Sequence, residues 1–163
     1  MLILSAHEPE QLKIVRQLFL EYRDSLGLDL CFQSFNEELA DLPGRYAPPK
    51  GRLLLAMAGA HAVGCVGLRE IGPGICEMKR LYVRPTFREQ GVGRVLADAA
   101  ISAAREIGYE RMRLDTLGSM QVAISLYESV GFHRIGPYYA NPIDDAVFME
   151  LCLRQTKIAQ QPT

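Results

Sequence analysis

No stretch of this chain stays apolar for the ~18 residues that a membrane-spanning helix needs. The amino terminus, Met1-Leu2-Ile3-Leu4-Ser5-Ala6, has no basic region and soon meets His7 and Glu8, so no secretory signal is expected. An excess of positive charge is also missing. The net charge is −1, which provides no global field for recruiting nucleic acid or an anionic membrane. Local basic patches remain open around Lys79, Arg80, Arg84, Arg88 and Arg94. The cysteines, at 31, 65, 76 and 152, show no C-x-x-C and no metal-ligand spacing. They read as buried free thiols, which suits a reducing cytoplasm. His7, His61 and His133 are far apart in sequence and likewise lack ligand spacing. Surface or capping roles are expected for them, and no metal. Internal repeats and low-complexity segments are absent. No serine or cysteine has a recognisable nucleophile setting.

What remains is an ordinary globular composition, 48% apolar and 23% charged over 163 residues, which fits one domain with a well-covered core. Leu2 to Ala6 reads as a strand. Leu12, Val15, Phe19, Tyr22 and Leu26 recur at helical spacing, predicting a helix from Glu8 to Leu26 that Gly27 ends. Ser34-Phe35-Asn36-Glu37 has the form of a capping box, predicting a short second helix to about Leu42. Pro43 to Gly51 is a loop on composition, and its prolines suit a flap near a binding site. Arg52 to Ala58 and Val63 to Ile71 read as a hairpin around Gly59 to Ala62, followed by a strand from Ile75 to Arg84. A helix at 92–107 ends at Gly108. Then come a strand from Arg111 to Leu117, a helix from Met120 to Val130, and strands from Phe132 to Ile135 and Ala146 to Leu153. The order predicts an α/β fold of mixed type, with a central mixed sheet and helices on its faces.

The most telling segment is Arg88-Glu89-Gln90-Gly91-Val92-Gly93. Its glycines fall where a strand hands over to a helix. Such a turn leaves backbone N–H groups unpaired and aimed at one point, beside the positive end of the helix dipole, which makes a seat for a pyrophosphate. A Rossmann turn needs G-x-G-x-x-G, and a Walker A loop needs Gly-Lys-Ser/Thr; neither is here.

Three segments together carry a resemblance: Leu81 to Gly93 with the glycine turn, Ala123-x-x-Leu126-Tyr127-x-x-x-Gly131-Phe132, and Glu77 in the fourth strand. The chain resembles the GNAT superfamily of acetyl-CoA-dependent N-acetyltransferases over nearly its whole length. The resemblance implies one acetyltransferase domain over residues 1–154, then a polar tail at 155–163. It implies a mostly antiparallel sheet of about seven strands, splayed between strands 4 and 5 and flanked by about four helices. Acetyl-CoA is the implied co-substrate. Its pyrophosphate would sit on the turn formed by Arg88, Glu89, Gln90, Gly91, Val92 and Gly93, with charge from Arg88 and Arg94. Its pantetheine arm would pair with backbone groups at Leu81, Tyr82 and Val83. Many relatives have Asn where this chain has Met120, which puts that contact with the arm in question.

Tyr127 is either a buried core residue or the general acid for the departing thiolate. A phenol of pKa ~10 facing a thiol of ~8.5 gives up its proton uphill by ~2 kcal/mol, so the help is modest. Glu77 is either a strand carboxylate paired with Lys79 or Arg69, or the general base acting through a water. Deprotonating a lysine amine at pH 7 costs ~4.6 kcal/mol, against ~1 for an α-amine. The expected reaction is direct attack of a primary amine on acetyl-CoA in a ternary complex. A small-molecule amine is favoured over a protein amine, with no nucleic-acid or membrane partner, and the family implies a homodimer. A non-catalytic acyl-CoA sensor is the alternative, and a donor longer than acetyl stays open. Tyr138, Tyr139, the 43–50 flap with Arg45 and Tyr46, and Asp144-Asp145 are candidates to meet the acceptor.

Overall fold

A computed structural model describes residues 1–27 and 34–154 of the chain. Cys31 and the 155–163 tail lie outside the described residues. The elements run β1 (Leu2–Ser5), α1 (Pro9–Leu26), α2 (Phe35–Ala40), β2 (Arg52–Ala58), β3 (His61–Gly72), β4 (Ile75–Val83), α3 (Val92–Ile107), β5 (Arg111–Leu117), α4 (Gln121–Ser129), β6 (His133–Ile135) and β7 (Ala146–Cys152). Short 3-10 turns occupy Gly44–Tyr46 and Pro85–Phe87. The order of strands and helices is the one predicted. No helix among the described residues is long and apolar enough to cross a membrane.

The seven strands form one sheet in the order β1-β2-β3-β4-β5-β7-β6. Every neighbouring pair is antiparallel except β4 and β5, which the α3 crossover makes parallel. Alternation along the strands divides the core between the two faces. Leu53 and Leu55 of β2 face α1 and α2, where they join Val15, Leu18, Phe19 and Phe35. Leu54 and Ala56 face the other way, to Leu96, Ala97 and Ala100 of α3.

Two departures matter for the site. Pairing between β4 and β5 covers only Ile75–Arg111, Cys76–Met112 and Glu77–Arg113, and beyond Glu77 the strands part. On its other side β4 carries an extra residue against β3, and Arg80 there takes a left-handed φ of 61°. Such a bulge bends its strand and raises the local twist, which turns β4 away from β5. The implied splay is therefore present, and the bulge beside it did not show in the sequence.

The Ser34 cap did not form. Ser34 has φ 55°, makes no side-chain cap bond, and α2 stops at Ala40 rather than near Leu42. The side-chain cap is on α1, where Gln11 Oε1 accepts the backbone N–H groups of His7 and Glu8, each at 3.0 Å. Gly27 closes α1 in the left-handed conformation. Cys65 and Cys76 are buried free thiols as expected, whereas Cys152 is free and exposed.

Candidate active site

The turn expected to seat an anion is shaped by two left-handed residues. After the Pro85–Phe87 turn, Glu89 has φ 65° and Gly91, the N-cap of α3, has φ 78°. The first backbone bond of α3 runs from Val95 N–H to the Gly91 carbonyl, at 3.1 Å. The amides of Val92, Gly93 and Arg94 come before it and have no partner within the helix. A side chain at Gly91 would meet nothing within 4 Å, so the mouth of the seat is open. Arg88 is held beside it by a bond from Nε to the Val83 carbonyl at 2.9 Å, with its guanidinium 5.8 Å from the Tyr82 ring centre. Arg94 turns instead to Ser129 Oγ at 3.2 Å and Asp98 at 3.8 Å, toward α4 and its own helix. Both arginines are exposed.

Past the point where β4 and β5 part lies a narrow slot of about 40 Å³, lined among others by Tyr22, Lys79, Leu81, Asp115, Met120 and Tyr127. Tyr127 projects from α4, buried edge-on against Phe132 with ring centres 5.8 Å apart. Burial pushes its phenol pKa up, which makes it a weaker acid than an ordinary tyrosine. Leu81 and Val83 pack on the α3 face of the sheet, with Tyr82 on the α1 face.

On the far side of the opening is a larger cavity of about 750 Å³. Glu37, Glu38 and Asp41 of α2, the Gly44–Tyr46 turn, and Tyr138 and Tyr139 help to wall it. Its floor is a network of buried charges. Glu38 accepts Arg80 at 3.1 Å and lies 3.8 Å from Arg69. Glu77 accepts Arg69 at 2.9 Å and the Tyr138 hydroxyl at 2.5 Å. Asp115 pairs with Lys79 at 3.3 Å and accepts the Tyr139 hydroxyl at 2.6 Å; Asn141 donates to that hydroxyl at 2.9 Å. Arg80 also lies over Phe35, 5.0 Å from its centre.

These environments act on the charges. Burial opposes the Asp115 carboxylate, but Lys79 and the Tyr139 hydroxyl outweigh it and hold its pKa below the ordinary value. Burial pushes Lys79 below the usual lysine value, against the pull of Glu77 and Asp115. Burial and the Glu77 carboxylate together push the Tyr138 phenol up.

Glu77 thus sits in the larger cavity with Arg69, one of its two foreseen partners, while Lys79 pairs with Asp115. Of the loop candidates, Tyr138, Tyr139, Arg45 and Tyr46 line the cavity, Tyr46 as a buried side chain. Asp144 and Asp145 line neither cavity. The Asp145 carboxylate accepts the Ser119 N–H at 3.0 Å instead. No histidine lines either space. Sequence reading missed Lys79 and Asp115 as site residues. The available signal was charge within central strands, where unpaired Lys and Asp are seldom buried.

An open mixed sheet whose parallel pair parts, with a glycine turn leading into α3 and a polar cavity beside the opening, is the frame of an acyltransferase. The chain belongs to the acetyltransferase (GNAT) family, whose model matches residues 13–132. It is 43% identical over 145 residues to an uncharacterized N-acetyltransferase of Schizosaccharomyces pombe, covering 88% of this chain and 89% of that protein. Its fold is similar to that of a GNAT-family acetyltransferase from Staphylococcus aureus, with TM-score 0.78 at 20% identity over 94% of this chain and 99% of the other. A Salmonella typhimurium acetyltransferase solved with acetyl-CoA is similar at TM-score 0.72 and 19% identity, over 96% and 95% of the two chains.

Proposed function

We propose that this enzyme transfers an acetyl group from acetyl-CoA to a small primary amine by direct attack in a ternary complex. One observation carries this reading: a narrow slot at the opening between β4 and β5 and a separate polar cavity share a single lining residue among those described, Lys79. Two spaces that touch at one residue suit a donor arm in the slot and an acceptor in the cavity, the arrangement that direct transfer needs. The cavity of about 750 Å³ is of metabolite size, which favours a small amine over a protein segment.

The amides of residues 88–93 hold the donor's pyrophosphate, with Arg88 supplying charge. Backbone groups of Leu81, Tyr82 and Val83 on the parted edge of β4 take the pantetheine arm as a neighbouring strand would. Glu77 works as base through a water. Arg69 reaches only Oε1 and Tyr138 reaches Oε2, so the carboxylate keeps lone pairs for it. Tyr127 gives a proton to the leaving sulfur, with less help than an ordinary phenol because burial raises its pKa.

Incubation with acetyl-CoA and a broad amine panel, following free thiol, tests the reading. Amine-dependent thiol release is expected, and Tyr127→Phe slows it without abolishing it. Saturable acetyl-CoA binding with no release on any amine would sink the enzyme assignment. An unchanged rate in Tyr127→Phe would remove that residue from the chemistry.

A further inference from the structure

Building on the acetyltransferase reading above, we propose that Lys79 is a further catalytic residue. It takes the proton that the acceptor nitrogen sheds on attack and hands it to the departing sulfur. Lys79 is the one described residue that lines both the slot and the cavity. A nitrogen entering from the cavity and a thioester carbon held in the slot must meet beside it. Its side chain is 5% exposed, so bulk water does not compete for the proton.

The proton balance calls for such a group. An amine arrives as an ammonium and leaves as an amide, so its nitrogen gives up two protons. The first leaves before attack, through the Glu77 water. On attack the N–C bond forms and the C–S bond breaks. The second proton passes to the neutral Lys79 amine and then to the thiolate, giving a free thiol. Lys79 ends neutral, as it began, and no further reactant is needed. The sulfur takes one proton: where Tyr127 gives it, the proton held by Lys79 restores the phenol, and where Tyr127 is lost, Lys79 delivers it directly. An arginine cannot do this, because its guanidinium holds its proton throughout.

The surroundings fit a lysine that changes charge. Asp115 faces it from β5, Glu77 and Arg80 from β4, and Arg69 from β3. Behind these, Glu38 of α2 holds the two arginines, and Tyr139 of the 136–145 loop holds Asp115. Tyr22 of α1 and Tyr127 of α4 face the slot. Burial and the two arginines favour the neutral amine, while Asp115 and Glu77 favour the ammonium and keep it positioned. In this balance burial wins, and the lysine pKa is lowered.

The plain structural role is a tie between β4 and β5, and Lys79→Arg separates the two. It preserves a permanent cation for Asp115 but cannot pass a proton. If Lys79 carries protons, kcat falls roughly 10²-fold or more, in the range of general acid–base catalysis. Acetyl-CoA affinity then stays within a few-fold, and the rising limb of the kcat–pH profile disappears. A Lys79→Arg enzyme with near-wild-type kcat overturns the proposal. The second measurement needs no acceptor and no variant that folds well. The chain has four lysines, so ¹³Cε-lysine NMR of the wild type resolves the titration of Lys79. A midpoint below the ordinary lysine value, matching the kinetic limb, is expected, and titration at or above that value overturns the proposal. Wild-type protein that turns over no amine would instead bring down the acetyltransferase reading, and the NMR result would still report on Lys79.

Discussion

Tyr46 lines the larger cavity, and Gly67 behind it leaves room for its ring. The Tyr46 ring is 2% exposed and meets Phe19 edge-on at 6.0 Å. A Cβ on Gly67 would stand 2.6 Å from Tyr46 Cε1, closer than atoms approach, and a ring so enclosed cannot slide clear. Gly67→Ala is expected to lower stability by about 1–3 kcal/mol, the usual penalty for overpacking. Acetyl-CoA binding should be retained, because the proposed pyrophosphate turn at 88–93 lies elsewhere. Urea denaturation beside a binding titration checks both. A change under about 0.5 kcal/mol, the ordinary surface range, would show that the wall is loose. At this scale the sequence was informative where local backbone decides the conformation. Gly91 lies within a turn that neighbouring residues define. Gly67 was opaque because its reason, Tyr46, is distant in the chain. Lys79 and Asp115 were hidden for the same reason: each looks like an isolated charge until the sheet brings β4 beside β5.

Among the elements, strands and helices were legible because apolar spacing decides them. Leu53 and Leu55 against Leu54 and Ala56 give β2 two buried faces, and α3 buries Leu96, Ala97, Ala100 and Ala104 on one side. Caps were less legible, since a capping pattern states which groups could bond and not the backbone angle that lets them. Ser34 has the right side chain and a left-handed φ of 55°, whereas Gln11 reaches two free N–H groups at the start of α1. Gln11→Ala should therefore cost about 0.5–2 kcal/mol, as lost caps do. Ser34→Ala should stay within about 0.5 kcal/mol, as for surface changes. Thermal unfolding of the two variants side by side checks the assignment, and the reverse order would show that α2 carries the working cap. The bulge in β4 was not legible either. An extra residue leaves the alternation of Ile75 to Lys79 intact and only shifts the residues after Arg80.

As a whole molecule, the sheet is two parts that barely pair: β1 to β4 on one side, and β5, β7 and β6 on the other. Three residue pairs between β4 and β5 join their strands, and α3, the Lys79–Asp115 bridge, the Tyr138–Glu77 bond and the Tyr109–Lys50 bond are among the ties around them. A ligand arm that enters the splay would supply the missing neighbour to both parting strands. Saturating acetyl-CoA should then stabilise the fold by about 2.7 kcal/mol at a hundredfold excess over Kd. That corresponds to roughly 5–10 °C in Tm for a domain of this size. Hydrogen exchange should slow at residues 81–83 and 114–117, beyond the last β4–β5 pair, with little change in β1 and β2. Gly91→Glu places a carboxylate at the open mouth of the anion seat. It strains a left-handed position by about 1–2 kcal/mol without striking any neighbour within 4 Å. The variant should fold, lose the ligand-induced shift in Tm, and lose the added protection in both strands together. If Gly91→Glu kept wild-type affinity, the glycine turn would not be the pyrophosphate seat. If the wild type bound tightly yet gained no protection at 114–117, the ligand would reach the turn without entering the splay, and the meeting of the two cavities at Lys79 would lose its chemical meaning.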